Sequence, residues 1–294
     1  MSFSVHAEKI SSAAVGWGNL IVPGLGATLR DQPMRGVFEA ALEVGTFYSG
    51  TLIAEETRFS IDGTIQVPEN GSVRKPMMAM TLQQFGLKYH FYNTFYHYQQ
   101  AALDDQDSER EMSNPQPLYK GTWTDTLLAP FRWENLSSIW AWPFITVSSA
   151  FLVWDYSQTT VVKRNRPVSG SGQFLYGMNE IGLIPLGSSF GEDVLFRGFI
   201  QREVYGMTKS LTAALLSQSI LFAALHSDHL EAFAGGLYFG FATDQLHGDL
   251  GPVIAAHFWV DVVAGLSEFF LFRRSIGKDA PFSPPIVAQF QFPF

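Results

Sequence analysis

The stretch LSSIWAWPFITVSSAFLVW, residues 136–154, holds no charged side chain. A run of this length and apolarity approaches the roughly 20 residues that cross a bilayer as a helix. Trp140 and Trp142 stand near its start and Trp154 at its end, where aromatic rings sit at headgroup level. The basic cluster KRNRP follows at 163–167. Further apolar stretches occupy 173–190, 210–227, 230–246 and 250–272, with weaker ones at 12–28 and 36–54. The first weak stretch contains VPGLG and reads as a re-entrant or interfacial hairpin. The second carries Glu39 and Glu43. Such a chain is expected to be all-α: a polytopic membrane helix bundle with an N-terminal membrane or interfacial helical extension. A soluble helical protein with buried apolar helices is the alternative, and a mean hydropathy of only +0.08 speaks for it. Against it stands the charged fraction of 16%, where soluble domains carry roughly 25%.

Composition narrows the function classes. A net charge of −8 opposes nucleic-acid binding, which needs a basic face. With no cysteine, thiolate catalysis, disulfides and cysteine-metal sites are excluded. The start of the chain is barely basic, and Gly and Pro break its apolar run, so an uncleaved N-terminus is expected.

Four regions follow from the pattern. Residues 1–54 form membrane hairpin or re-entrant segments, and 55–134 a polar and interfacial region. Residues 135–274 make the membrane-embedded core, and 275–294 a Pro-rich tail, a capping strand or disordered. Within the second region, FGLKYHFYNTFYHYQQ is expected to lie on the membrane interface or pack over the bundle. DDQDSERE at 104–111 reads as a solvated loop or helix end, and WTDTLLAPFRWENLSS as an interfacial piece leading into the span at 136. Gly236 and Gly240 in GLYFG allow close helix approach. Basic residues at 30, 35, 163–166 and 273–274 are expected on the cytoplasmic side. Parity then calls for one segment that does not cross, and 197–209 is expected to be an interfacial turn.

Ionisable groups inside apolar helices are costly and face a polar interior or cavity. Three short pieces stand out, EDVLFR (192–197), FAALH (222–226) and HFWVD (257–261), with His229, Glu231 and Asp244 as a fourth group of ionisable residues. Asp193 and Arg197 are one helical turn apart and can pair. Glu192 points about 100° away from Asp193. If the helices pack around one point, Glu192, His226, His257 and Asp261 converge. A carboxylate with two imidazoles can activate water and stabilise an oxyanion; the same set, with His226 and His257 as candidate ligands, could hold one zinc-like divalent metal. Glu180 and Glu268 are expected to face a crevice or the interface. Asp228, His229 and Glu231 read as a polar loop, and His247 as part of a turn.

In order and spacing the three pieces resemble the motifs of the CPBP family, the CAAX proteases and bacteriocin-processing enzymes: E-E-x-x-x-R, F-x-x-x-H and H-x-x-x-N/D. RGFIQ after the arginine and GPVIAAH before the last motif agree as well. The resemblance covers about 170–272. It implies an integral-membrane endopeptidase, expected in a bacterial inner membrane, that cuts a membrane-associated peptide or protein substrate at the lipid bilayer. It further implies Glu192 as general base, His226 as its assistant, His257 and Asp261 at the oxyanion, and Asp193 with Arg197 as a brace. The family has been described both as metal-dependent and as metal-independent, so either no cofactor or one divalent metal is implied, with direct glutamate catalysis preferred. Two rival readings are a catalytically silent scaffold with the same polar core and a metal-dependent hydrolase of a non-peptide substrate. An ionised Asp261 cannot donate to an oxyanion; orienting His257 through its ring N–H is the preferred role for it.

Overall fold

The computed structural model describes residues 10–57, 74–105, 108–158, 170–226 and 228–275. Among these every regular element is helical, so the protein is all-α. The basic cluster at 163–167 and the tail from 276 lie outside the described residues.

The N-terminal part is a pair of long helices with a small cap. Helix α1 (Ser12–Ile21) starts at Ser11, whose hydroxyl accepts the Ala14 N–H. Helix α2 (Leu25–Leu29) follows a turn at Gly24, where φ is +78°. VPGLG therefore forms the corner of a helical hairpin. A Cβ at Gly24 would fall 2.0 Å from the carbonyl oxygen of Gly36. Left-handed backbone also disfavours any Cβ. Gly24→Ala is accordingly expected to destabilise the fold by about 1–3 kcal/mol, measured as a drop in unfolding midpoint of the purified protein.

Helix α3 (Pro33–Thr57) and helix α4 (Arg74–Asp104) pack side by side. Their contact buries Glu39 and Glu43, the two acids that weaken the 36–54 stretch as a membrane span. Each finds partners. Glu39 takes His97 Nε2 at 2.7 Å and Arg35 Nε at 2.6 Å, and Glu43 takes His90 Nδ1 at 2.7 Å and Asn93 Nδ2 at 2.6 Å. His90 and His97 are two helical turns apart and share one face. Buried charge persists only when paired in this way.

The aromatic stretch 85–100 packs on the bundle, one of its two expected placements, and does so as core. Phe95, His97 and Tyr98 are essentially inaccessible to solvent. Tyr98 and Trp17 both meet the ring of Phe199, with centroids 4.7 and 4.9 Å apart.

After α4 come short helices α5 (Glu109–Met112), α6 (Trp123–Leu128) and α7 (Trp133–Leu136). The 104–111 charge run is only partly solvated, because Glu111 Oε2 accepts from Arg202 at 2.7 Å and Arg110 pairs with the buried Glu203. A capping box joins Thr122 and Asp125 at the start of α6. Hydrogen bonds from Thr122, then from Arg132, hold the Asp125 carboxyl down at about 2, so this corner keeps its charge at any ordinary pH. Helix α8 (Trp142–Gln158) begins six residues later than the uncharged 136–154 run and buries no residue fully.

The chain is then helical without a break from Gly170 to Thr208, through α9 (Gly170–Met178), α10 (Ile184–Asp193) and α11 (Arg202–Thr208) joined by two wide π turns at Asn179–Leu183 and Val194–Gln201. This corrects the expected interfacial turn at 197–209: the chain turns at Lys209, where φ is +54°. Pro185 has no N–H to give its own helix, and the first π turn stands just before it. Arg197 and Arg202 are buried ion-pair partners rather than headgroup-facing cations.

Helices α12 (Leu211–Ala224), α13 (His229–Gln245) and α14 (Gly251–Ser275) complete the bundle. Gly236 and Gly240 lie against Ser219 and Gln218, the close α12–α13 approach that GLYFG suggests. His229 sits at the start of α13 with its Nδ1 on Ala223 O at 2.8 Å, and His247 occupies the α13–α14 turn with φ +52°. Glu180 and Glu268, expected at a crevice or interface, are buried instead. Tyr156 donates to Glu268 Oε1 at 3.1 Å. Among the described residues one helix, Gly251–Phe270, is long and apolar enough to cross a membrane, and half of its apolar window is buried within the protein.

Candidate active site

Glu192 and Asp193 close α10, and Arg197 lies one turn on, inside the π turn. All three are buried. Asp193 Oδ1 and Arg197 Nη1 are 3.2 Å apart. The guanidinium is stacked on the Phe222 ring at 4.2 Å from its centroid, with Phe239 at 5.4 Å. The expected brace is therefore present, and ring faces enclose its cation.

His226 enters from the end of α12. Its Nδ1 meets Phe222 O at 2.8 Å. A carbonyl only accepts, so Nδ1 carries the hydrogen and Nε2 is left to face the site. Helix α14 supplies His257 and Asp261 one turn apart. It is positioned partly by the 129–131 turn, where Trp259 Nε1 donates to Pro130 O at 2.8 Å and Phe131 meets Phe258 edge-on.

The four residues do converge. Glu192 Oε2 lies 3.7 Å from His226 Nε2 and 3.9 Å from His257 Nε2, and His257 Nε2 lies 3.6 Å from Asp261 Oδ2. Separations of this size between polar atoms suit one small bridging species rather than direct hydrogen bonds. Glu192 Oε2 has no hydrogen-bond partner among the described residues, although it is buried. The Glu192 and His257 side chains are 2% and 8% exposed, whereas those of His226 and Asp261 are each 28% exposed. The constellation is thus deep on the glutamate side and open between His226 and Asp261.

Two features depart from expectation. His257 Nδ1 is oriented by Asp193 Oδ2 at 3.1 Å, not by Asp261. The reason is geometric: Asp193 stands beside the ring on the facing helix, whereas Asp261, on the histidine's own helix, reaches only the Nε2 side. Asp193 therefore serves both Arg197 and His257. The second feature is Lys88 of α4, a residue the motifs do not contain. Its ammonium pairs with Glu192 Oε1, and both groups are buried. The only sequence signals for it are a lone Lys in the aromatic stretch 85–100 and GSSFG at 187–191, glycines one turn apart just before Glu192.

A zinc-like ion fits this arrangement poorly. No three His, Asp or Glu side chains among the described residues are grouped to hold a metal. The ammonium on Glu192 also places a positive charge at the one carboxylate that both imidazoles face.

Residues 178–263 match the family model described as Rce1-like, Type II CAAX prenyl endopeptidase Rce1-like. This part of the chain is similar to the CAAX protease family. All seven defining residues of the three motifs lie inside the matched segment, and Lys88 lies outside it. No curated protein and no solved structure matches the chain.

Proposed function

We propose that the protein is an intramembrane endopeptidase that hydrolyses a peptide bond of a membrane-anchored or membrane-proximal substrate, with Glu192 as the base. The observation that carries this reading is the division of labour on one buried carboxylate: Oε1 is held by Lys88, and Oε2 faces two imidazole nitrogens without a hydrogen bond of its own.

In the proposed reaction a water seated between Glu192 Oε2 and His226 Nε2 gives a proton to the carboxylate. Its oxygen attacks the scissile carbonyl, and the C=O electron pair becomes an oxyanion. His257, held through Nδ1 by Asp193, presents Nε2 to that oxyanion and donates to it when protonated. Glu192 then returns the proton to the leaving amine as the C–N bond breaks, giving one carboxylic acid and one amine. Asp261, on the open side beside His257, borders the substrate path. Membrane embedding, which the family segment and the apolar α14 support, would bring this site to a substrate held at the bilayer.

Comparative membrane proteomics of cells carrying wild type or Glu192→Gln tests the activity. At least one membrane peptide or protein is expected to accumulate uncut in the variant. Identical membrane proteomes, together with an unaltered partner set, would instead favour a silent scaffold.

A further inference from the structure

Lys88 comes from outside the family segment and touches the reacting carboxylate. The chain builds a seat for it. At the crossing of α4 and α10, a Cβ on Gly191 would lie 2.8 Å from Lys88 O and 3.0 Å from Lys88 Cβ. Only glycine lets the two backbones meet there. One turn earlier, the Cβ position of Gly187 is 3.4 Å from Lys88 Cγ, so the lysine stem runs along a glycine-lined stripe to the residue after Gly191. The Phe91 ring lies 5.6 Å from the ammonium.

We infer that Lys88 is a positioning residue of the active site: it fixes Glu192 as an anion with Oε1 occupied and Oε2 turned to His226 and His257. A buried carboxylate without an adjacent cation takes up a proton and loses its use as a base. The other charged groups around Glu192 do not replace Lys88. Arg197 is engaged with Asp193, Asp193 and Asp261 are acids, and the two histidines face the opposite oxygen. The N-terminal helices thus complete a centre whose motifs all lie after residue 190. This inference rests on the proposed peptidase reading for its kinetic test and on the carboxylate itself for its second test.

Three variants are compared in the full-length protein: Lys88→Met, Lys88→Arg and Lys88→Met/Glu192→Gln. On a cleavable membrane peptide, Lys88→Met is expected to lower kcat about ten- to a hundredfold with KM within about twofold. The acidic limb of its pH profile should move up by about one to two pH units, because Glu192 then protonates more readily. Lys88→Arg keeps the cation and should recover most of the rate and the limb. Infrared difference spectra read the same carboxylate without any substrate. Read as a difference against the matching Glu192→Gln protein, which cancels the other buried acids, the Glu192 protonated-acid band should grow in at a pH about one to two units higher in Lys88→Met than in wild type. An unchanged pH profile, or a band that grows in at the wild-type pH, overturns the inference. A wild type that cuts nothing sinks the peptidase reading but leaves the infrared result to decide on Lys88. If Lys88→Met fails to accumulate, the double variant should accumulate, since it removes both charges. Failure of both would mark Lys88 as packing alone and also overturn the inference.

Discussion

Purified Glu192→Gln protein is expected to lose about 10²- to 10⁴-fold in kcat/KM on a membrane-anchored reporter peptide, with its fold intact. The amide keeps the size and shape of the carboxylate and can still accept from Lys88 through its oxygen. What it lacks is the negative charge and the ability to take a proton from water. The effect should be large because no neighbour can take over. Asp193 is engaged by Arg197 and His257, and Asp261 lies beside His257 Nε2 on the open side, without the lysine that holds Glu192. Glu192→Asp is a sharper probe of geometry. One methylene shorter, it cannot keep Lys88 on one oxygen and the two imidazoles on the other, so a loss of about 10-fold or more is expected even though the base is chemically similar. Equal initial rates for wild type and Glu192→Gln, in samples matched for unfolding midpoint, would remove Glu192 from the mechanism. Glu180→Gln serves as the control, since that acid is buried elsewhere, against α14 near Gly265.

Much of the site was legible because helices impose spacing. Asp193 with Arg197, Phe222 with His226 and His257 with Asp261 are each one turn apart, and such pairs share a face whatever the rest of the chain does. That Glu192 points away from the Asp193–Arg197 brace followed from one residue step. The contact between His257 and Asp193 was not legible, because it depends on how deeply α14 seats against α10. Lys88 was hidden for a related reason. Its partner is 104 residues away in sequence, and the aromatic helix that carries it has no clear apolar stripe to fix its buried face. The unbroken helix from Gly170 to Thr208 was missed because Arg197 and Arg202 read as headgroup-facing cations that mark a turn. Glu111, Tyr98 and Asp193 neutralise or receive these arginines. Sequence alone shows a charge and leaves its partner unnamed.

The Asp193–Arg197 brace predicts the largest effect on stability. Both side chains are fully inaccessible to solvent. Arg197→Ala would leave Asp193 buried without its cation and empty the space between the Phe222 and Phe239 rings. Breaking a buried pair from one side costs about 3–5 kcal/mol, comparable to much of the total stability of an ordinary domain. The variant is therefore expected to unfold well below wild type or to fail to accumulate. Arg197→Lys should fall between the two, because an ammonium keeps the charge but loses the planar stacking on Phe222. The double variant Asp193→Asn/Arg197→Met removes both charges and keeps an unbranched apolar chain against the rings, so most of the stability should return. Its activity should not. The amide that replaces the Asp193 carboxylate can still accept from His257 Nδ1, but it no longer supplies the negative charge that favours the imidazolium during oxyanion formation. Unfolding midpoints measured beside cleavage rates separate these outcomes. If Arg197→Ala unfolds with wild type, the pair contributes no stability. If the double variant recovers both stability and rate, Asp193 is only a brace and has no part in holding His257 for the reaction.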